Sequence, residues 1–132
     1  CEFFIQPATD GIYYNIECNC AGTLLVGSGS RREERQLAPQ SILDQVKRWS
    51  SLGRVPFETK DGDFKWQMAL IIPVTTFFQH RIQQLDSLQV KANFYKCGDK
   101  TSTPHFLSWA PIAVPCPDFH RPDFFGEIVF EP

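Results

Sequence analysis

The chain has 132 residues, 42% of them hydrophobic and 14% aromatic, with a formal net charge of −2. That length and composition suit one domain with a real apolar core. They exclude the basic field of a nucleic-acid surface and the charge density of a disordered tail, and the longest apolar run, residues 68–72, is far too short to cross a bilayer.

In chain order, "EFFIQP" reads as a strand that stops at Pro7. Because it starts directly after Cys1, the expectation is a single domain over 1–132 whose N-terminal strands lie upstream and are missing. "ATDG" is a turn, "IYYNIECNC" a second strand ended or bent by Gly22, and "TLLVGSG" a third. These are hairpin spacings, which predict antiparallel pairs. "GSGSRREERQ" reads as a solvated loop whose Arg31, Arg32, Glu33, Glu34 and Arg35 nearly neutralise one another.

The segment 38–53 predicts the best helix, with Pro39 in its first turn, Gly53 past its end, and Ile42, Val46 and Trp49 on one face. Residues 55–73 predict a hairpin with Asp61-Gly62 at the tip and Trp66, Met68, Leu70 and Ile72 facing the core. "TTFFQHRIQQL" predicts a short helix with Phe78, Ile82 and Leu85 inward. "LQVKANFYK" and "GEIVFEP" are strands, separated by a loop and by the proline- and ring-rich 106–126. With no βαβ alternation and no internal repeat, the fold class is all-β: an antiparallel β-sandwich or jelly roll of two sheets with one or two short helical insertions.

The five cysteines, Cys1, Cys18, Cys20, Cys97 and Cys116, are an odd number, so full internal pairing is excluded. Cys18 and Cys20 sit two apart on one strand, too distant to bridge easily. The cysteines read as free thiols in a reducing compartment; the other reading is one or two disulfides in an exported protein.

Strand parity groups the polar residues. Asn15, Glu17 and Asn19 share a face, Lys91, Asn93 and Tyr95 share another, and Glu2 and Gln6 flank Phe4. If these strands are neighbours, one sheet surface carries Glu2, Asn15, Glu17, Asn19, Lys91 and Asn93. It is then an ordinary solvated face or a ligand surface. Carboxylates, amides and one cation match vicinal hydroxyls, and an aromatic ring at the rim stacks on a sugar's C–H face.

Glu2 and Glu17 also provide the two carboxylates a glycoside hydrolase needs. An interaction domain with no small ligand is the blander alternative. The spacing of His105, Cys116 and His120 fits no zinc pattern, Cys97 lacks a nucleophile signature, and no cofactor or phosphate motif is present.

The blocks "CEFFI", "YYNIECNCAGT", a Trp in a strand ending "IIP", "ANFYKCGD", "PHFLSWAPI" and "PDFHRPDFFGEIVFE" follow one another in an order that resembles the family 9 carbohydrate-binding modules, closest to the family-9-like proteins of Bacteroidetes. The resemblance covers nearly the whole chain. It implies a β-sandwich that binds an oligo- or polysaccharide without catalysis, the sugar clamped between two aromatic rings. It places Glu2 at the family's strand carboxylate, Glu17 where a member has Arg, Lys91 and Asn93 at polar positions of one strand, and Phe119 where a member stacks a Trp. The second stacking Trp of the family falls upstream of "CEFFI". Next to Phe119, His120 and Arg121 complete the expected site, with Trp109 as a further ligand contact.

Overall fold

A computed structural model describes residues 1–60 and 62–132. Among them, strands β1 (Glu2–Gln6), β2 (Tyr13–Cys18), β3 (Leu24–Gly29), β4 (Gln36–Leu37), β7 (Gln89–Cys97), β8 (Phe106–Ser108) and β9 (Gly126–Val129) form one antiparallel sheet. Its order is β4-β3-β2-β1-β7-β8, with β9 pairing the other end of β7's free edge. A second sheet pairs β5 (Lys47–Ser50) with β6 (Met68–Ile71). The architecture is the two-sheet, nearly all-β arrangement expected of a sandwich.

β1 lies between β2 and β7, and both faces of that central region are covered. Its apolar run Phe3-Phe4-Ile5 is continuous and does not alternate, as a strand covered on both sides requires. Ile5, Tyr14, Ile16, Val26 and Ala92 enter a large apolar core shared with Phe77, Met68, Leu70 and Ile72. Phe4, Tyr13, Tyr95 and Phe125 enter a smaller, ring-rich core on the opposite face.

Of the two predicted helices, one is cut to a single turn and the other does not form. In 38–53 only one turn forms, α1 (Gln40–Leu43), which has no side-chain cap and no acidic residue in its first turn. The chain then becomes β5. Val46 and Ser50 are buried while Lys47 and Trp49 face out, a period of two, and Trp49 is 54% exposed instead of packed. An uncapped single turn is unfavourable on its own, so cross-strand pairing with β6 decides the outcome.

The second helix is replaced by a 3-10 turn, Val74–Thr76, and irregular chain, although Phe78, Ile82 and Leu85 still pack on the core. β6 pairs with β5 and not with the 55–60 segment, so the predicted hairpin does not form there, and Asp61 lies outside the described residues. The β6 alternation holds for Met68, Leu70 and Ile72, whereas Trp66 is half-buried beside a cleft. All five thiols are free, and Cys18 is the one that is fully buried.

Candidate functional site

The register fixes the site. Glu2 lies opposite Glu17 on β2 and Tyr95 on β7, Phe4 opposite Asn15 and Asn93, and Gln6 opposite Lys91. The surface foreseen from parity therefore exists, but its middle is not solvated. The segment 109–125 lies over it. Asn93 is 0% exposed: its Nδ2 donates to the Ala110 carbonyl at 3.0 Å, and its Oδ1 accepts from the Ala110 and Phe94 amides at 2.8 and 2.9 Å. Asn93 thus pins the start of the covering segment to the sheet. The Phe119 ring then stacks flat on Tyr95, with centroids 4.2 Å apart and planes 8° apart, and meets Phe106 edge-on.

Arg35 builds the flank. Its Nε donates to Asn15 Oδ1 at 2.6 Å, Nη2 to the Tyr13 and Gly27 carbonyls, and Nη1 to the Gly29 and Arg31 carbonyls. The guanidinium sits 4.2 Å over the Tyr13 ring. This corrects the expectation of a fully solvated loop: Arg35 is half-buried and ties the 30–35 loop to β2 and β3. Gly27 makes room for this network, since a Cβ there would lie 2.6 Å from Asn15 Oδ1. Asn15, 3% exposed, passes the chain onward, its Nδ2 donating to Glu17 Oε1 at 2.7 Å.

At the end of this chain is a cavity of about 270 Å³. It is lined by Glu2 and Glu17, by the rings of Phe106, Phe119 and His120, and by the charged side chains of Arg32, Asp99 and Asp118. Cys1 and Cys18 exchange both backbone hydrogen bonds, so the next pair, Glu2 and Glu17, is the close, non-hydrogen-bonded kind. Like charges directly opposite at that spacing are destabilising.

Burial, then the Glu17 carboxylate, pushes Glu2 up to about 7 from an ordinary 4.5. No hydrogen bond or ion pair reaches the Glu2 carboxyl from the described residues. His120 is the reverse case. Burial, then the Arg35 and Arg32 charges, lower it to about 4, so it is neutral at neutral pH. Its Nδ1 lies 2.8 Å from the Tyr13 hydroxyl, placed to accept that proton. A second cleft of about 420 Å³ adjoins the cavity and shares Glu2, Glu17 and Cys97 with it.

Of the residues expected from sequence, Glu2, Glu17, Phe119 and His120 come together here. Asn93 lies beneath the covering segment and supports it. Lys91 is exposed at the other end of the sheet, in a depression with Gln6 and Glu127, about 13 Å along the strand from the Glu2 row. Trp109 is 54% exposed and packs edge-on against Phe94, whose strand parity sends it to the opposite face; the missing Cβ of Gly126 makes room for its ring. Arg121 is turned onto Asp123, with bonds of 2.6 and 3.1 Å, and onto the Phe124 ring.

Sequence reading missed Arg32, Asp99 and Asp118. All three come from loops, where no periodicity marks which side chain turns inward. Among the described residues no cluster of three or more His, Cys, Asp or Glu could hold a metal, and no helix is long and apolar enough to cross a membrane.

The model of carbohydrate-binding family 9 matches residues 1–130. A crystal structure from Bacteroides uniformis, described as a "putative carbohydrate-binding protein", superposes with a TM-score of 0.95 at 54% identity. The match covers 98% of this chain and 60% of that one, so this chain spans about three-fifths of its neighbour's length. No curated protein matches.

Proposed function

This chain belongs to carbohydrate-binding family 9, and we propose that it binds a saccharide, without catalysis, in the cavity between the Glu2–Glu17 pair and Phe119. The observation that carries this reading is the pair itself. Two carboxyls face each other on neighbouring strands, one without a partner, beside an aromatic ring already held flat by the ring beneath it.

Sugar hydroxyls donate to Glu2 and to the free oxygen of Glu17, while Arg32 donates to ring or hydroxyl oxygens. A sugar's C–H face packs on the exposed side of Phe119, which Tyr95 keeps from turning. The prolines at 115 and 117, and the Asx turn from the His120 amide to Asp118 Oδ1, make this wall preformed, so little entropy is lost on binding.

The test is a titration of plant and host oligosaccharides at millimolar concentration, repeated with Phe119→Ala and Glu2→Ala. Loss of about tenfold or more in affinity with the fold retained is expected, from one stacked ring or one charged hydrogen bond. If no oligosaccharide binds, the reading fails.

A second reading draws on Glu2 and Glu17 together. A carboxyl pushed up to about 7 beside another carboxylate matches what the acid of a glycoside hydrolase pair requires. Turnover of chromogenic glycosides that disappears in Glu17→Gln would establish it over the first.

A further inference from the structure

The cavity has an excess of negative charge that its own residues do not neutralise. Glu2, Glu17, Asp99 and Asp118 line it against a single guanidinium, Arg32. The other cations nearby are committed elsewhere: Arg35 to Asn15 and four backbone carbonyls, Lys96 of the adjoining cleft to His105, and the Cys1 ammonium, which acts on Glu2 only through space, to the Cys18 carbonyl. His120 contributes no positive charge at neutral pH, and its Nδ1 is occupied by Tyr13. Asp118 already accepts from the His120 amide and Glu17 from Asn15, whereas Glu2 is met by no donor.

A neutral sugar supplies hydroxyl donors but leaves this charge uncompensated. A uronate or a sulfated sugar adds to it. An ammonium group, with three donors and a positive charge, satisfies both facing carboxyls at once. We propose that the cavity selects its saccharide by charge, taking a hexosamine with a free, protonated amine ahead of neutral sugars and excluding uronates and sulfated sugars. This rests on the saccharide reading above and assigns its ligand class.

The geometry favours this over a purely structural use of the pair. Nothing in the sheet needs a carboxyl at position 2, because Phe3, Phe4 and Ile5 supply the packing of β1. A close cross-strand pair of like charges costs stability. A cation placed between the two carboxyls converts that cost into binding free energy. The same cation favours the ionised form of Glu2, so binding near pH 7 is accompanied by proton release.

The experiment titrates the protein, at neutral pH and physiological salt, with a glucosamine trimer, its N-acetylated counterpart and a galacturonate trimer. The amine form is expected to bind about tenfold more tightly than the N-acetylated form, since a charge-assisted bond replaces a neutral one. The galacturonate is expected not to bind. Glu2→Gln and Glu17→Gln are each expected to erase the preference, and Glu127→Gln, at the far end of the sheet, to keep it. Should either cavity variant fail to fold, Asp99→Asn in the same lining is expected to narrow the preference. Binding heats in buffers of different ionisation enthalpy report the released proton independently.

Equal affinity for the amine and N-acetylated trimers overturns the charge selection and leaves the saccharide reading standing. So does a preference that survives both glutamate variants, or galacturonate binding as well as the neutral trimer. If none of the three trimers binds, and no other oligosaccharide does, both fail together.

Discussion

Tyr13 and Tyr14 are neighbours on β2, point to opposite faces of the large sheet, and each meets a histidine Nδ1, His120 at 2.8 Å and His80 at 2.7 Å. What surrounds them differs. Around Tyr14 the network is closed: its hydroxyl also accepts from the Gln79 amide, and His80 Nε2 reaches Asp10 Oδ2 at 3.1 Å. Burial raises the Tyr14 phenol to about 12, and the face is otherwise packed with aliphatic side chains.

Around Tyr13 the core is the buried rings of Phe4, Tyr95 and Phe125, and the polar chain Arg35–Asn15–Glu17 ends opposite the Glu2 carboxyl, which no donor from the described residues meets. The Tyr14 chain ends on a partner at each step, whereas the Tyr13 side ends at that unmet carboxyl. The hydroxyls of Ser28, opposite Tyr14, and of Tyr95 are buried without a partner, so the contrast lies between the two tyrosine chains and not between whole faces.

The largest expected effect tests whether stability and binding separate by face. Ile16→Ala and Phe4→Ala both truncate fully buried side chains, and each should cost about 2–5 kcal/mol in denaturant unfolding. Only Phe4→Ala should also weaken saccharide binding, because the Phe4 ring supports Tyr95 and His120, with centroids 5.0 and 4.9 Å away. Equal loss of binding in both variants would erase the distinction between the faces.

Asn93→Ala comes next. It strands the Ala110 amide and carbonyl beneath the covering segment, at about 1–3 kcal/mol. Hydrogen exchange should accelerate at Ala110 while β3 and β6 stay protected. Acceleration spread evenly over both sheets would show that Asn93 supports the whole fold and not the wall of the cavity.

The same contrast explains what the sequence revealed. Parity within β1, β2 and β7 was enough to group Glu2, Asn15, Glu17 and Asn93, because a strand's period of two is local and survives any tertiary arrangement. It could not show that Asn93 is buried while Lys91, two residues away on the same face, is exposed. That depends on where 109–125 lies, a contact set by long-range packing. Arg35 looked like one charge among five in a loop, and only the carbonyls of β2 and β3 distinguish it. The i, i+4, i+7 spacing of Ile42, Val46 and Trp49 suggested a helix, yet it fits equally a single turn followed by a strand whose partner is remote in sequence.

A smaller effect lies in the pH profile, where two groups of the open face act in opposite directions. Glu2, raised to about 7, favours the folded state below its ordinary 4.5 and loses that contribution as pH rises through 7. His120, lowered to about 4, favours the folded state above its ordinary 6.5 and loses that contribution as pH falls through 4. Across the shared window the two slopes offset. Glu2→Gln should therefore reveal a profile in which stability rises from pH 4 to 6.5, and His120→Gln one in which it falls from pH 4.5 to 7. Each should amount to about 1–2 kcal/mol, well short of the full shifts because solvent screens half-buried groups. Identical profiles in the two variants would refute the assignment.

The smallest effect belongs to the closed face. Asp10 sits in the turn before β2, where it accepts from the Ile12 amide at 3.0 Å and pairs with His80. The Ile12 bond comes first among the causes that lower its carboxyl below the usual range. Its contribution is present above an ordinary 3.8 and is lost as pH falls further. Because the carboxyl is largely exposed, Asp10→Asn should cost under about 1 kcal/mol. The Tyr14–His80 bond should persist, since the Gln79 amide still orients the Tyr14 hydroxyl. Saccharide affinity should be unchanged, because Asp10 acts through Tyr14 on the face away from the cavity. A measurable loss of affinity in Asp10→Asn, read by the same titration as the cavity variants, would mean that the two tyrosines communicate through β2 and that the faces are not independent.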